Sequence, residues 1–145
     1  MNIYEIIKDF CINNDIELIV DTFNGLNVDA DTATAYRDGL CDKIHLNVIQ
    51  SGELGFSTVG KFTRKINYEI RFLKNCKKSD DGLEYWDNQQ GLYSTAEKVY
   101  KVLSKEYEQT DMTSMITETS VDELDENNNC MKCNVTITEY LDRCL

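Results

Sequence analysis

Apolar residues along the chain recur with two periods. Ile3, Ile6, Ile7, Phe10 and Cys11 follow the three- and four-residue spacing of a helix, leaving Asn2, Glu5, Lys8 and Asp9 for solvent. Asn13, Asn14 and Asp15 stop that helix, because short polar side chains compete for the backbone and favour turns. The run Ile16-Glu17-Leu18-Ile19-Val20 then predicts a short strand. A second strand is predicted where Ile44, Leu46 and Val48 alternate with His45, Asn47 and Ile49. The longest alternation sets Phe62, Ile66, Tyr68, Ile70 and Phe72 on one face and Thr63, Lys65, Asn67, Glu69 and Arg71 on the other, interrupted only by Arg64. Such a pattern marks a sheet with one face on the core and the other wet or at a polar contact.

Leu92, Ala96, Val99, Tyr100, Leu103 and Tyr107 form the stripe of a second helix, expected from about Asn88 to Glu108. Ser94 and Glu97 either cap its start or lie within its first turns. Met112 to Thr119 predicts a strand, and a last one sets Met131, Cys133, Val135 and Ile137 against Lys132, Asn134, Thr136 and Thr138. The expected order is α-β-β-β-α-β-β. It describes one α+β domain over residues 1–145, with a mainly antiparallel sheet of about five strands and two helices packed on one face. Too few helices separate the strands for a doubly wound parallel sheet.

Two segments escape these periods. The connection 21–43 is long for a compact domain, so it is either functional or holds a small element of its own. The segment 51–60 carries Gly52, Gly55 and Gly60 and reads as the tip of a long hairpin arm. If the arm projects, Leu54, Phe56 and Val59 are available to a partner; otherwise they fold back onto their own sheet. Trp86, beside Tyr85, is a second candidate contact, since aromatic residues are enriched in binding hot spots. Its alternative place is the edge of the core.

Charge narrows the function. Fifteen Lys and Arg stand against 26 Asp and Glu, a formal net charge of −11, which disfavours a free-standing nucleic-acid-binding module. No apolar run approaches the ~20 residues of a membrane span. The charged start of the chain is unlike a signal peptide, so an intracellular or assembled soluble protein with mostly reduced cysteines is expected.

Candidate chemistry is sparse. Cys130 and Cys133 have CxxC spacing, but in a strand residues three apart point to opposite faces, and zinc needs four ligands. His45 is the only histidine, lies on the less apolar face of its strand, and is expected to be solvated or at an interface. Gly60-Lys61 is followed by Phe62, without the hydroxyl of a phosphate-binding loop. The acidic stretch Asp122 to Asn129 lacks the glycine of a calcium loop and reads as a solvated turn. The expectation is no enzyme, no catalytic residue, no metal and no cofactor.

In this element order the chain resembles the tail terminator, or tail completion, proteins of long-tailed bacteriophages, a family also described as minor capsid or neck proteins. The resemblance is carried by the amphipathic start Met1 to Phe10 and by Lys43 to Val48 leading through Ser51-Gly52-Glu53 into Lys65 to Phe72. The helix Thr95 to Leu103 and the acidic Val121 to Glu126 before Cys133 to Thr138 complete it. It covers most of the chain, apart from the 21–43 connection. It implies a structural virion protein assembled in the host cytoplasm. The expected form is a homo-oligomer, usually a hexameric ring, between tail-tube and head-connector proteins, through which DNA passes without specific binding. The acidic composition also suits a different class, a small protein-binding effector such as an immunity protein or a DNA-mimicking inhibitor.

Overall fold

The computed structural model describes residues 2–22, 41–56, 61–75, 82–106, 111–120 and 128–142. Helix α1 (Ile3–Asn13) begins at Asn2, whose side chain accepts the Glu5 amide at 2.9 Å while the Glu5 carboxylate accepts the Asn2 amide at 3.4 Å. This reciprocal cap satisfies two N–H groups that the first turn leaves without helical partners. At the other end Asn14 donates its side-chain amide to the Phe10 carbonyl at 2.8 Å, and Asp15 turns the chain with φ at 55°. Short polar residues tolerate that left-handed geometry.

The chain continues through β1 (Glu17–Asp21), β2 (Lys43–Asn47), β3 (Ser51–Phe56), β4 (Lys61–Asn75), α2 (Gly82–Glu106), β5 (Asp111–Ser120) and β6 (Asn128–Asp142). The protein is α+β, with two helices and a mixed sheet in the order β1-β2-β4-β6-β5; β3 also pairs with β4. Two features correct the sequence reading. Segment 51–56 is a sixth strand, so the order is α-β-β-β-β-α-β-β. In addition, β1 and β2 pair in parallel. Parallel neighbours need a return crossover of a dozen or more residues, which gives the long 21–43 connection a topological reason. Most of that connection, like the acidic 121–127 stretch, lies outside the described residues.

Strands β2 and β3 run in the same direction along one side of β4. Lys43 opposes Leu73 and Ser51 opposes Asn67, so the register shifts by two residues between them. Val48, Ile49 and Gln50 take up that excess. The Asn47 side chain accepts the Ile49 amide at 2.9 Å, and the Asp21 carbonyl accepts the Val48 amide at 3.2 Å. With β2 and β3 in line, the sheet is five strands wide.

The helix-bearing face follows the alternation. Cross-strand rows Ile44–Phe72–Met131, Leu46–Ile70–Cys133 and Tyr68–Val135, with Ile137 beyond them, pack with Ile3, Ile6, Ile7, Phe10 and Cys11 of α1 and Leu92, Ala96, Val99 and Leu103 of α2. Burying each large apolar side chain contributes about 1.5–3 kcal/mol. Helix α2 begins earlier than its stripe predicts, which places Ser94 inside it. It is anchored by Thr95: the buried hydroxyl donates to the Gly91 carbonyl at 2.9 Å and accepts the Cys41 amide at 3.0 Å, just before β2.

Candidate functional site

Strand β4 has 15 residues and pairs with β6 along its whole length. The packed core reaches Tyr68 on β4 and Ile137 on β6, and the remaining end of the ribbon, flanked by β3, forms the arm. There Leu54 opposes Arg64 and Phe56 opposes Phe62, on the same sheet face that carries the core. The alternation therefore continues, but it no longer meets a helix. Leu54 and Phe56 are 70% and 69% exposed. The Phe56 and Phe62 rings stack at a tilt, 5.3 Å between centroids. Arg64, the one break in the apolar series, donates to Glu139 across β4–β6 at 2.6 Å.

Polar ties on the other face hold β3 in register. Lys65 pairs with Glu53 at 3.5 Å, the Thr136 hydroxyl donates to Asn67 at 2.7 Å, and Asn67 donates to the Ser51 hydroxyl at 3.3 Å. An exposed ion pair of this kind contributes at most about 1 kcal/mol, so pairing with β4 must supply most of the order in the arm.

Of the candidate contacts, Leu54 and Phe56 share one face of β3, whereas Trp86 sits near the start of α2, 60% exposed. Val59 lies outside the described residues. Val48 and Ile49, 48% and 67% exposed where β2 passes into β3, add apolar surface that the sequence reading assigned to a strand.

The opposite face of the sheet holds a buried polar row. Ile19, His45, Arg71 and Lys132 oppose one another across β1, β2, β4 and β6; next to them run Glu17, Lys43, Leu73 and Cys130. His45 is fully buried within the subunit, which corrects the expectation of a solvated or interface ring; Lys43 and Arg71 are buried as well. Lys43 approaches Glu17 at 3.9 Å, and Arg71 forms an ion pair with Glu69. The Asp21 carbonyl can only accept, so His45 donates through Nε2 at 2.8 Å and is the Nε2–H tautomer when neutral. Burial pushes the His45 pKa down, and the Arg71 charge adds to the shift, while the Asp21 contact opposes it. Burial and the Arg71 cation weaken the imidazole as a base, while its committed Nε2–H leaves Nδ1 as the basic nitrogen.

Cysteine positions follow strand geometry. Cys133 faces the helices and Cys130 the other side, both buried. Among the described residues, no group of three or more His, Cys, Asp or Glu side chains is arranged to hold a metal ion. A groove of about 520 Å³ between α1 and α2 is lined by Ile6, Phe10, Val102, Asp9 and Lys98, among others, with no Ser, Thr, Cys or His among the described residues that line it. No helix among the described residues is long and apolar enough to cross a membrane. No protein-family model matches the chain, and no curated protein matches it in sequence.

Proposed function

We propose that this protein is a structural virion component, a tail terminator or neck subunit. Copies of it assemble into a ring, in the expected form a hexamer, at the head-proximal end of a phage tail. There it joins tail-tube and head-connector proteins. In this reading the chain has no catalytic centre and no cofactor, and it reaches the virion after assembly in the host cytoplasm. The observation that carries the reading is the arm: Leu54 and Phe56 stand on an ordered strand, on the core-facing side of the sheet, beyond the reach of both helices. Burying the exposed part of either side chain against a partner adds at most about 1.5–3 kcal/mol. Trp86 supplies apolar surface on a separate element. The net charge of −11 suits a channel lining that repels DNA and leaves it mobile.

Native mass measurement across a concentration series, with negative-stain microscopy, tests the proposal. Annular particles with a mass about six times 16.7 kDa are expected. A chain that stays monomeric at every concentration while binding one cationic protein tightly would overturn the ring in favour of an acidic effector.

A further inference from the structure

We propose that β3 is a self-complementary edge, through which two copies of the chain pair β3 to β3, antiparallel, about a two-fold axis centred on Leu54. Strand β4 occupies one edge of β3, and among the described strands none occupies the other. An open edge presents alternating N–H and C=O groups, a template for another strand.

Side-chain chemistry selects the second strand and its register. Directly opposed residues of an antiparallel pair share a face, so an even-numbered residue of β3 can oppose only an even-numbered one in a second β3. Centring the pair on Glu53 sets two carboxylates opposite each other, which is destabilising. Centring it on Gly55 keeps only Leu54, Gly55 and Phe56 paired within the strand. Centring it on Leu54 pairs every position from Gly52 to Phe56. Leu54 then meets Leu54 of the second copy, each Phe56 lies opposite a Gly52, and each Glu53 lies opposite a Gly55. An aromatic ring placed across from a strand glycine covers the backbone that the glycine leaves bare.

Electrostatics favours this meeting point. The arm strands, 51–56, 61–67 and 136–142, contain Lys61, Arg64 and Lys65 against Glu53, Glu139 and Asp142. The arm is therefore neutral, and the whole net charge of −11 lies elsewhere. Two like-charged subunits repel over most approaches and least at their arms.

The contact draws on the same arm as the proposed ring but differs from it in symmetry: a cyclic ring is built from head-to-tail contacts, whereas this one joins two subunits, or two rings, across a two-fold. Sedimentation equilibrium on the full chain tests it, using Leu54→Lys, Leu54→Glu and their equimolar mixture. Circular dichroism and thermal melting verify that each variant is folded, as expected for a side chain this exposed. Wild type should associate in pairs with rising concentration. Each variant alone sets like charges face to face and should weaken pairing by about tenfold or more. The mixture sets Lys against Glu at the same point and should recover it. Three results would overturn the proposal: a wild-type chain that forms no pairs, a Leu54→Lys protein that pairs as wild type does, or a mixture no tighter than its components. If paired subunits with charge rescue are the largest species found, this contact stands and the ring falls. If rings form and the wild type and both charge variants alike leave them unpaired, the reverse holds.

Discussion

Gly52 lies directly against the backbone of Lys65 on the neighbouring strand. A Cβ at Gly52 would collide with the Lys65 carbonyl oxygen and come within 3.2 Å of the Ile66 Cα. Both obstacles are main-chain atoms, so no side-chain rotation relieves the clash. Gly52→Ala should part β3 from β4 while leaving the core rows from Tyr68 to Phe72 intact. Amide hydrogen exchange reads this directly. Faster exchange confined to 51–56 and 62–67 is expected, and unchanged protection there would refute the close approach.

The buried ring of His45 makes stability depend on pH. Its folded pKa lies below the ordinary 6.5, chiefly through burial. Below that pH the unfolded chain takes up a proton that the native chain resists. Stability is therefore full above pH 6.5 and declines as the pH falls from there toward the lower native pKa. His45→Gln keeps a donor for the Asp21 carbonyl and does not titrate. Urea midpoints at pH 7.5 and 5.5 should differ less for this variant than for wild type; equal differences would show that His45 is not the group responsible.

Thr95 connects α2 to the start of β2 through one hydroxyl. Thr95→Val conserves the shape but removes the acceptor for the Cys41 amide. A buried N–H without a partner costs about 1–3 kcal/mol. Chemical denaturation should show a loss of that size with an unchanged m-value. Thr95→Ser, which keeps the hydroxyl, should recover most of it.

Cys11 and Cys41 should be inert thiols in the native protein. Burial pushes both up to about 12, so almost none of either is thiolate at neutral pH. Alkylation at pH 8 followed by peptide mapping should leave both unmodified until denaturant is added. Rapid labelling of either in the folded chain would contradict its buried position.

Much of the fold is legible locally. The stripe from Ile3 to Cys11, the stripe from Leu92 to Leu103 and the alternation from Phe62 to Phe72 each report the geometry of one element. Ile3, Ile6, Ile7, Phe10, Cys11, Leu92, Ala96, Val99, Leu103, Ile70 and Phe72 reach the core and Tyr68 packs against it, whereas Phe62, Ile66 and Tyr100 do not join it. Opposite faces for Cys130 and Cys133 follow from the same period. The candidate site was partly legible too. Leu54 and Phe56 stood out as apolar residues among glycines, yet their segment read as a hairpin tip, because Gly52 and Gly55 lower strand propensity and the stabilising partner is β4.

The sequence by itself determined which residues face inward on each helix and long strand, because that depends on a repeat carried by neighbouring positions. Only the tertiary structure decided that β1 lies parallel to β2, that β2 and β3 share one side of β4 with a two-residue offset, and that His45 and Arg71 meet in a buried row. It also decided where the helices stop, with Leu54 and Phe56 exposed on the strand beyond them. These are relations between distant segments, and the backbone hydrogen bonds that join strands have the same chemistry at almost every residue, so no local pattern encodes which strands meet.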